Sequence, residues 1–546
     1  MSDDLSGGNK ILNALGRKIY LEMPAPSEED NLPSEERIFR SLRETVPDLR
    51  GQDLHMSIGA LRSLNPLCEN ADWKITVSLS WNGSGWEVVG AERGKSKIPA
   101  VGLAVDLGST SVIMRMLDLE TGECMSEAGV YNHQIRFGED ILTRIFYSRD
   151  QPEHLEEIRR ATVDTFLELM RMLQRKTGID PQNALSVVVA GNTAMTHFLL
   201  GLDAFSVFAS PYAVETLQPG FYRGTDLELP VRGWVYCYPG LANYLGGDIV
   251  SGLVAVGLYR SEKISLFFDV GTNGELVVGN SQFLLCGAGA AGPALEGGVV
   301  KTGMRAAEGA VEAVRMTPDQ EKKTEENGIL PGSVFHLKTI GGSSPVGICG
   351  SGSVDLISEL FLHGWINIQG TLQPEKSGLI QRQKVQETGE EELAICYYPG
   401  LWFYQSDILE FIRTKAAAAT MMEYMLDVSG IEIQDVARFY MAGSFGAHVD
   451  VESAVNIGMY PDVERGRIVP AGNTSLEGAQ KLLLDRSLLQ DIRQILGLMS
   501  YVQFGAVDDF LTRMRAAEAL PHTDAERYPS VMEKLKAFSA QKERTT

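Results

Sequence analysis

Two stretches of this chain repeat the same local pattern, and the repeat constrains the fold more than any other feature. The segments "AVDLGSTSVIM" (104–114) and "FFDVGTNGELV" (267–277) align without a gap around the motif Asp-x-Gly-[ST]. Each shows an apolar strand, a tight glycine-containing turn and a returning strand. One copy is typical of a structural β-hairpin, whereas two copies indicate a duplicated unit whose turns could face one ligand cleft. The sequence therefore predicts an α/β protein built from two similar halves.

Both turns carry groups that a nucleotide phosphate needs. Glycine has no Cβ, so backbone N–H groups in such turns can approach an anion closely. Side-chain hydroxyls can add hydrogen bonds to phosphate oxygens. Four hydroxyls stand in or beside these turns, those of Ser109, Thr110, Ser111 and Thr272. The carboxylates of Asp106 and Asp269 would repel bare phosphate, so they favour a Mg²⁺ ion, held mostly through water, between them and the nucleotide.

A third glycine-rich turn follows late in the chain. The segment "FYMAGSFG" (439–446) has the pattern of a strand that runs into a turn and a helix. Gly443, Ser444 and Gly446 leave room for a flat purine and its ribose to approach the backbone. In isolation this pattern is typical of an ordinary helix start.

The overall charge argues against two classes of partner. The 546 residues include 49 basic and 71 acidic side chains, for a formal net charge of −22. Nucleic acids and anionic membranes need clustered positive charge on a protein, so we expect neither as a partner. The longest apolar runs, such as "IVSGLVAVGLY" (249–259), fall well short of the roughly 20 residues that span a bilayer. The start "MSDDLSGGNK" has neither the basic nor the apolar region of a signal peptide, so we predict a cytoplasmic location.

The six cysteines are widely separated in sequence, at positions 68, 124, 237, 286, 349 and 396. This spacing contains no CxxC pair, no zinc pattern and no ferredoxin-type run. The pattern predicts separate reduced thiols, with a cluster shared between subunits as the alternative.

Composition divides the chain into five segments. They are an N-terminal tail (1–19), a small α+β linking domain (20–98), a first lobe with the first hairpin (99–262), a second lobe with the other two turns (263–521), and a polar C-terminal tail (522–546) that we expect to fray. Within the small domain, "DWKITVSLSWNGSGWEVVGAE" (72–92) predicts a β-hairpin.

The order of the three turns resembles the phosphate-1, phosphate-2 and adenosine motifs of the superfamily of acetate and sugar kinases, heat-shock chaperone ATPases and actin (ASKHA). A closer resemblance is to one branch of it, the reductive activators of corrinoid enzymes (RACE). The phrases that carry it include "GLAVDLGSTSV", "HQIRFGEDILTRI" (133–145), "VAGNTAMTHFLLG", "YLGGDIVSG", "DVGTNGEL", "GAAGPALEGG", "GICGSGSVDLI" and "MAGSFG". The resemblance implies an actin-like, ribonuclease H-like duplicated ATPase fold preceded by a small α+β domain.

The resemblance also implies a function. Such a protein binds ATP and Mg²⁺ and couples hydrolysis to the reduction of an inactive cobalt(II) corrinoid protein to cobalt(I) in a methyltransferase system. It implies a separate electron donor, a ferredoxin or a flavoprotein, and it allows a homodimer. By position, the residues that would hold phosphate and metal are Asp106, Gly108, Ser109, Thr110 and Ser111 in one lobe, and Asp269, Gly271, Thr272, Asn273 and Gly274 in the other. Gly443, Ser444 and Gly446 would border the adenosine.

Asp248 has two interpretations. In sugar kinases a Gly-Asp pair shortly before the second phosphate hairpin supplies the catalytic base, and Gly247–Asp248 lies at a similar distance from Asp269. Asp248 would then orient a water for attack on the γ-phosphate. Alternatively, Asp248 is the N-cap of the helix that "IVSGLVAV" predicts.

The sequence departs from the RACE pattern at three points, one of which is that the long helix predicted at 406–430 lacks the glutamine usual a few residues after "DI". The best-known members of this branch carry an N-terminal ferredoxin-like domain with a [2Fe–2S] cluster. Here only Cys68 precedes the kinase-like part, so we expect no iron–sulfur cluster in this chain. His133 stands where the branch usually has proline. Two other functions remain open: a small-molecule kinase of the sugar-kinase fold, and a nucleotide-gated, chaperone-like binding protein.

Overall fold

The computed structural model describes residues 12–271, 273–290, 300–317, 331–385, 389–502, 504 and 509–545. The chain forms two compact units. The first unit holds the described residues up to Gly257 together with Thr474–Leu498, and the second holds Leu258–Asn473 together with the described residues from Met499 onward. The chain therefore returns to the first unit once after it has built most of the second.

The described strands, in chain order, are β1 (Gly16–Glu22), β2 (Leu54–Met56), β3 (Lys74–Trp81), β4 (Trp86–Arg93), β5 (Val101–Leu107), β6 (Ser111–Asp118), β7 (Cys124–Tyr131), β8 (Ser186–Gly191), β9 (Gly220–Arg223), β10 (Trp234–Cys237), β11 (Ser265–Val270), β12 (Asn273–Gly279), β13 (Leu284–Ala290), β14 (Ala310–Met316), β15 (Phe335–Thr339), β16 (Gly347–Ile348), β17 (Ile380–Lys384), β18 (Glu391–Tyr398), β19 (Leu401–Tyr404), β20 (Arg438–Ala442), β21 (Ile468–Gly472) and β22 (Met499–Val502). The described α-helices are α1 (Ser34–Thr45), α2 (Ile58–Asn70), α3 (Ile141–Asp150), α4 (His154–Thr177), α5 (Thr193–Leu200), α6 (Gly247–Val256), α7 (Pro331–Val334), α8 (Gly350–Leu362), α9 (Gln405–Ser429), α10 (Gly443–His448), α11 (Val451–Asn456), α12 (Thr474–Leu484), α13 (Leu488–Leu498), α14 (Phe510–Ala517) and α15 (Pro529–Thr545).

The N-terminal part of the first unit is a four-stranded sheet of order β1-β3-β4-β2 with α1 and α2. β3 and β4 form the predicted antiparallel hairpin, and alternate apolar residues of β3, among them Ile75, are buried in the core of this small domain. Glu87 ties the domain to the rest of the unit. Its buried carboxylate accepts hydrogen bonds from the guanidinium of Arg223 at 2.8 Å and from the indole N–H of Trp234 at 2.9 Å. A buried carboxylate that is paired in this way fixes the small sheet on the larger one.

The larger sheet of the first unit has the order β7-β6-β5-β8-β10-β9. β5, β6 and β7 form an antiparallel meander, while β8 pairs parallel with β5, and β10 pairs parallel with β8. β8 is buried along its whole length, which is typical of a central parallel strand covered on both faces. Helices α4 and α12 pack on this sheet.

The main sheet of the second unit has the order β21-β20-β11-β12-β13-β22. Here β11, β12 and β13 form the antiparallel meander, β20 pairs parallel with β11, and β21 pairs parallel with β20. These five strands repeat the order and pairing of β7-β6-β5-β8-β10 in the first unit. The sixth strands differ, because β9 pairs antiparallel with β10 whereas β22 pairs parallel with β13 at the opposite edge. The predicted α/β fold of two duplicated halves, preceded by a small α+β domain, is therefore confirmed.

The C-terminal segment differs from the expectation. We expected the chain to fray from about residue 522, but α15 occupies Pro529–Thr545. Val531 in its first turn is fully buried, and the hydroxyl of Ser530 donates to the carboxylate of Asp462 at 2.7 Å. The prediction was wrong because a few apolar and hydrogen-bonding contacts at the start of a helix suffice to dock an otherwise polar segment.

Among the helices that the structure describes, none combines the length and the apolar character that crossing a membrane requires.

Candidate functional site

The phosphate-1 turn, residues 108–110, joins β5 to β6 in the first unit. Leu107 pairs with Val112 across the hairpin, so the turn is tight and Asp106 lies one residue before the end of β5. A Cβ on Gly108 would lie 2.5 Å from the carbonyl oxygen of Ser111, well inside van der Waals contact. Only glycine fits at this position.

Three consecutive carbonyl groups of the phosphate-1 turn accept hydrogen bonds from fully buried residues. Asn132 donates from its side-chain amide to the carbonyl of Gly108 at 2.9 Å and from its backbone N–H to that of Thr110 at 2.9 Å. The guanidinium of Arg144 donates to the carbonyl of Ser109 at 2.6 Å. All three carbonyls of the turn therefore face the protein interior.

This orientation determines where the N–H groups of the turn point. In a trans peptide, the carbonyl and the N–H of the next residue point in opposite directions. The N–H groups of Ser109, Thr110 and Ser111 therefore point away from the buried donors. Successive backbone N–H groups that are presented on one side of a turn form a concavity suited to an anion.

Asp106 receives a hydrogen bond from a residue far along the chain. Ser475, in the first turn of α12, donates its hydroxyl to Oδ1 of Asp106 at 2.8 Å. The carbonyl of Ser475 in turn accepts from the hydroxyl of Ser251 in α6 at 2.7 Å. A Cβ on Gly478 would overlap the carbonyl oxygen of Ser251, so α12 and α6 are in backbone contact. A hydrogen bond to a carboxylate favours its ionised form and fixes its orientation.

A pair of glycines determines where α6 begins. A Cβ on Gly246 would lie 2.5 Å from Cα of Asn192, and one on Gly247 would lie 2.6 Å from Cβ of Tyr238. Gly246 occupies the N-cap position, so Asp248 lies inside the first turn of α6. The alternative that Asp248 is the helix N-cap is therefore wrong.

The carboxyl group of Asp248 has an unusual proton affinity. Burial raises its pKa to about 7, and the negative charge of Asp106 raises it further, whereas the N–H of Ile249, 2.9 Å from Oδ1, opposes the rise. Asp248 nevertheless keeps partial exposure. A carboxyl group that exchanges its proton near neutral pH and remains accessible has the properties of a general base.

In the second unit, Asp269 and Gly443 are in contact. The parallel pairing of β11 with β20 places Asp269 beside Ala442, the residue before Gly443. Gly443 has φ +84°, and a Cβ on it would lie 2.8 Å from Oδ1 of Asp269. Both the left-handed backbone and the space taken by the carboxylate require glycine. The predicted phosphate-2 carboxylate and the predicted adenosine turn thus meet within one unit.

The other predicted residues of the second unit lie close to this contact in sequence. The N–H of Gly271 donates to the carbonyl of Asn273 at 2.9 Å, which closes the turn between β11 and β12. β12 opens with Asn273 and Gly274. A Cβ on Gly446 would lie 2.9 Å from the carbonyl oxygen of Met441, so α10 begins in close contact with β20. Thr272 and the side chain of Ser444 lie outside the described residues.

The predicted residues thus fall into two sets, one in each unit. The first unit brings together Asp106, Gly108, Ser109, Thr110, Ser111 and Asp248, and the second brings together Asp269, Gly271, Asn273, Gly274, Gly443 and Gly446. The donor types fit magnesium, which takes one or two carboxylates and otherwise keeps water or binds phosphate oxygens. The close approaches at Gly108 and Gly443 fit a ligand that lies against the backbone.

Sequence reasoning missed three residues that hold the first set in place, namely Asn132, Arg144 and Ser475. Arg144 has a weak signal, because it falls on the same helical face as the buried Ile145 and Ser148. Ser475 has no local signal, since 369 residues separate it from Asp106.

His133, which stands in place of the proline usual in the RACE branch, has its own partners. Its backbone N–H donates to the hydroxyl of Thr165 at 3.0 Å, and its ring nitrogen lies 2.7 Å from the carboxylate of Glu168. A proline could not make the first of these bonds because it has no N–H.

All six cysteines are free thiols, and only Cys124 is exposed. Burial raises the pKa of Cys68 to about 11 and that of Cys237 to about 12. These two buried thiols therefore stay protonated at neutral pH, a form that binds metals weakly.

Known families match this chain in three consecutive stretches. The RACo linker region matches residues 9–97, the RACo middle region matches residues 101–261, and the C-terminal domain of RACo, the ASKHA domain, matches residues 263–532. A solved structure, "Reductive activator for corrinoid,iron-sulfur protein", matches with a TM-score of 0.85 and 31% sequence identity over 96% of this chain and 82% of that chain. This chain belongs to the RACo family of reductive activators of corrinoid proteins. The predicted RACE resemblance and the predicted actin-like fold are confirmed.

Two curated relatives extend the family. This RACo-family chain is 32% identical over 400 residues to the corrinoid activation enzyme RamQ of Eubacterium limosum. It is 25% identical over 416 residues to the [Co(II) methylated amine-specific corrinoid protein] reductase of Methanosarcina barkeri. The matches cover 71% and 72% of this chain, and 65% and 72% of the respective relatives. The chain thus matches slightly less than two thirds of the length of the Eubacterium relative.

Proposed function

We propose that this protein hydrolyses ATP to drive the reduction of an inactive cobalt(II) corrinoid protein to cobalt(I) in a methyltransferase system. The electron comes from a separate donor, a ferredoxin or a flavoprotein. The observation that carries the proposal is the likeness to a reductive activator for a corrinoid, iron–sulfur protein over 96% of this chain. The printed names of both curated relatives, a corrinoid activation enzyme and a corrinoid protein reductase, support the same partner.

The ATP chemistry is supported by the first unit. The N–H groups of Ser109, Thr110 and Ser111 would donate to phosphate oxygens, and Asp106 would hold Mg²⁺ through its waters. A bound Mg²⁺ ion neutralises charge on the phosphates. The contact between Asp269 and Gly443 supports a site in which the second phosphate motif and the adenosine motif act side by side.

Asp248 would act as the general base. Its carboxylate accepts a proton from the attacking water as the water oxygen bonds to the γ-phosphorus, and the bond between that phosphorus and the bridging oxygen of ADP breaks. The products are ADP and phosphate, and the proton passes from Asp248 to solvent. A pKa of about 7 suits this cycle because the group can both accept and release the proton near neutral pH.

Reduction of the partner is a one-electron step. The donor loses one electron, and cobalt(II) gains it to become cobalt(I). ATP would contribute by giving the nucleotide states of the activator different affinities for the two cobalt states of the corrinoid protein, since a ligand shifts an equilibrium only through differential binding.

The experiment combines the purified protein with Mg-ATP, a cobalt(II) corrinoid protein and a low-potential chemical reductant under anaerobic conditions. Cobalt(I) is followed by its visible absorption, and phosphate release is measured in parallel. We expect cobalt(I) to form only when ATP is present, and we expect the corrinoid protein to stimulate hydrolysis. The proposal is contradicted if no corrinoid protein encoded near the gene of this chain forms cobalt(I) in the presence of ATP or stimulates ATP hydrolysis.

The same assay separates the two other functions. A small-molecule kinase would transfer label from γ-labelled ATP to a metabolite rather than release it as phosphate. A nucleotide-gated binding protein would bind ATP and its partner without turnover that depends on Asp248. The matched control is Asp248→Asn, which keeps the shape of the side chain but removes its ability to accept a proton.

A further inference from the structure

Arg144 is a fully buried cation next to the phosphate-1 turn. Its side chain extends from α3, and its guanidinium donates to the carbonyls of Gly138 at 2.8 Å, Glu139 at 3.1 Å and Ser109 at 2.6 Å. The first two carbonyls belong to the loop that leads into α3, whereas Ser109 is the middle residue of the turn. One side chain therefore joins the start of α3 to the turn.

A structural role for α3 alone does not account for this arrangement. Burying a guanidinium is costly unless its donors are well satisfied, and an apolar side chain of similar length would fill the same volume without that cost. Contacts with Gly138 and Glu139 would suffice to hold the start of the helix. The contact with Ser109 is the shortest of the three, and hydrogen bonds from a charged donor are stronger than neutral ones.

The consequence of the Ser109 contact falls on the next residue. Because the carbonyl of Ser109 is held inward by Arg144, the N–H of Thr110 in the same peptide points away from it. Hydrogen-bonded groups polarise one another in a medium of low dielectric constant, so a cation on the carbonyl strengthens the N–H as a donor. Asn132 holds the two flanking carbonyls without adding charge.

We propose that Arg144 is a positioning residue for phosphate binding, which aims and polarises the Ser109–Thr110 peptide toward the β- and γ-phosphates of ATP. This role rests on the proposed function of the chain as an ATP-binding protein. Arg144 does not contact the nucleotide itself and acts through the backbone of the turn. Its effect is therefore specific to the phosphates and leaves recognition of the nucleoside unchanged.

The test measures equilibrium binding of Mg-ATP and of AMP, which lacks the β- and γ-phosphates, to the full-length wild type and to two variants. Arg144→Met should weaken ATP binding by about 10- to 100-fold, the size typical for loss of a charged hydrogen bond, and should change AMP binding less than about twofold. Arg144→Lys keeps the charge but cannot reach three divergent carbonyls, so it should show an intermediate loss for ATP alone. Arg136→Met is the matched control, because Arg136 is exposed and lies shortly before α3 in the chain. This variant should leave both affinities unchanged.

The outcomes separate the roles. A folded variant that loses affinity for ATP and AMP equally would show that Arg144 only stabilises the fold, and this result would overturn the proposal. If Arg144→Lys binds ATP with wild-type affinity, the proposal is also overturned. If circular dichroism shows that Arg144→Met does not fold, the ATP affinity of Arg144→Lys tests the proposal in its place. Failure of the wild type to bind ATP would instead contradict the proposed function. ATP binding by the wild type is therefore measured before that of any variant.

Discussion

The hydroxyl oxygen of Ser475 lies 2.8 Å from Oδ1 of Asp106, although 369 residues separate the two along the chain. The contact exists because the chain returns from the second unit to the first at Thr474 and begins α12 there. Ser475 therefore fixes one oxygen of the carboxylate that we expect to hold the waters of Mg²⁺.

Removal of this hydroxyl should raise the magnesium requirement. In Ser475→Ala, Asp106 loses a donor that favours its ionised, oriented form, so we expect the Mg²⁺ concentration for half-maximal ATP hydrolysis to rise about tenfold. The measurement is a Mg²⁺ titration of phosphate release at saturating ATP. Ser487→Ala, at an exposed serine of the same returning segment, is the control and should behave as the wild type. An unchanged Mg²⁺ requirement in Ser475→Ala would contradict the role of Ser475.

Replacement of Asp248 should affect turnover more than binding. A general base typically contributes 10²- to 10⁴-fold, so Asp248→Asn should lower kcat for ATP hydrolysis by about that factor while KM changes little. The wild-type kcat/KM should fall on the acid side of about pH 7, where Asp248 becomes protonated. Steady-state kinetics from roughly pH 5 to roughly pH 9, about two units on each side of neutrality, test both statements. If Asp248→Asn keeps the wild-type kcat, another group must act as the general base of ATP hydrolysis.

The same group should make stability depend on pH in a defined direction. Burial raises the pKa of Asp248 from 3.8 to about 7 in the folded protein, so between these values the folded state binds more protons than the unfolded state. The contribution of Asp248 is then fully present below about pH 4 and is lost as pH rises through about 7. The side chain of Asp248→Asn cannot titrate. The free energy of unfolding of this variant, relative to that of the wild type, should therefore increase by a few kcal/mol from about pH 5 to about pH 8, as the pKa shift implies. Urea unfolding at the two pH values measures this difference, and an equal difference at both would contradict the raised pKa.

Gly443→Ala should disturb the second unit through two separate effects. A left-handed backbone costs a residue with a Cβ about 1–2 kcal/mol, and the new methyl group would also collide with the Asp269 carboxylate. Gly430→Ala is a matched control, because Gly430 has φ +65° but open space around it. We expect Gly430→Ala to show only the backbone cost in thermal unfolding and to keep ATP hydrolysis. Gly443→Ala should be less stable than this control and should lose hydrolysis, and equal behaviour of the two variants would show that the Asp269 contact is unimportant.

Much of the fold could be predicted because its signals are local. Each Asp-x-Gly-[ST] hairpin is a strand, a turn and a strand within a few residues, and both were found as predicted, β5 with β6 and β11 with β12. α4 ends at Thr177, and Gly178 follows it in the left-handed conformation that glycine favours at a helix end. The expectation of a fraying tail failed because composition does not show where a few apolar side chains will dock.

The candidate site was predictable only in part. The sequence indicated Asp106 and Asp248 from their motifs, but the start of α6 at Gly247 is decided by backbone contacts of Gly246 and Gly247 with distant segments. Arg144 was missed because its place on the buried face of α3 indicates burial only weakly, and no sequence pattern shows which carbonyls a buried arginine binds.

By itself, the sequence determined the duplicated α/β halves, the three glycine-rich turns and the carboxylates beside them, because these depend on strand period, turn chemistry and the absence of a Cβ at a few positions. Only the tertiary structure decided which donors hold the turn and which groups surround each carboxylate. The inward carbonyls of residues 108–110, the Ser475 hydroxyl on Asp106, the raised pKa of Asp248 and the contact of Asp269 with Gly443 all arise between segments that are distant in sequence. Such contacts depend on how the strands pair and how the helices pack, and no local pattern encodes them.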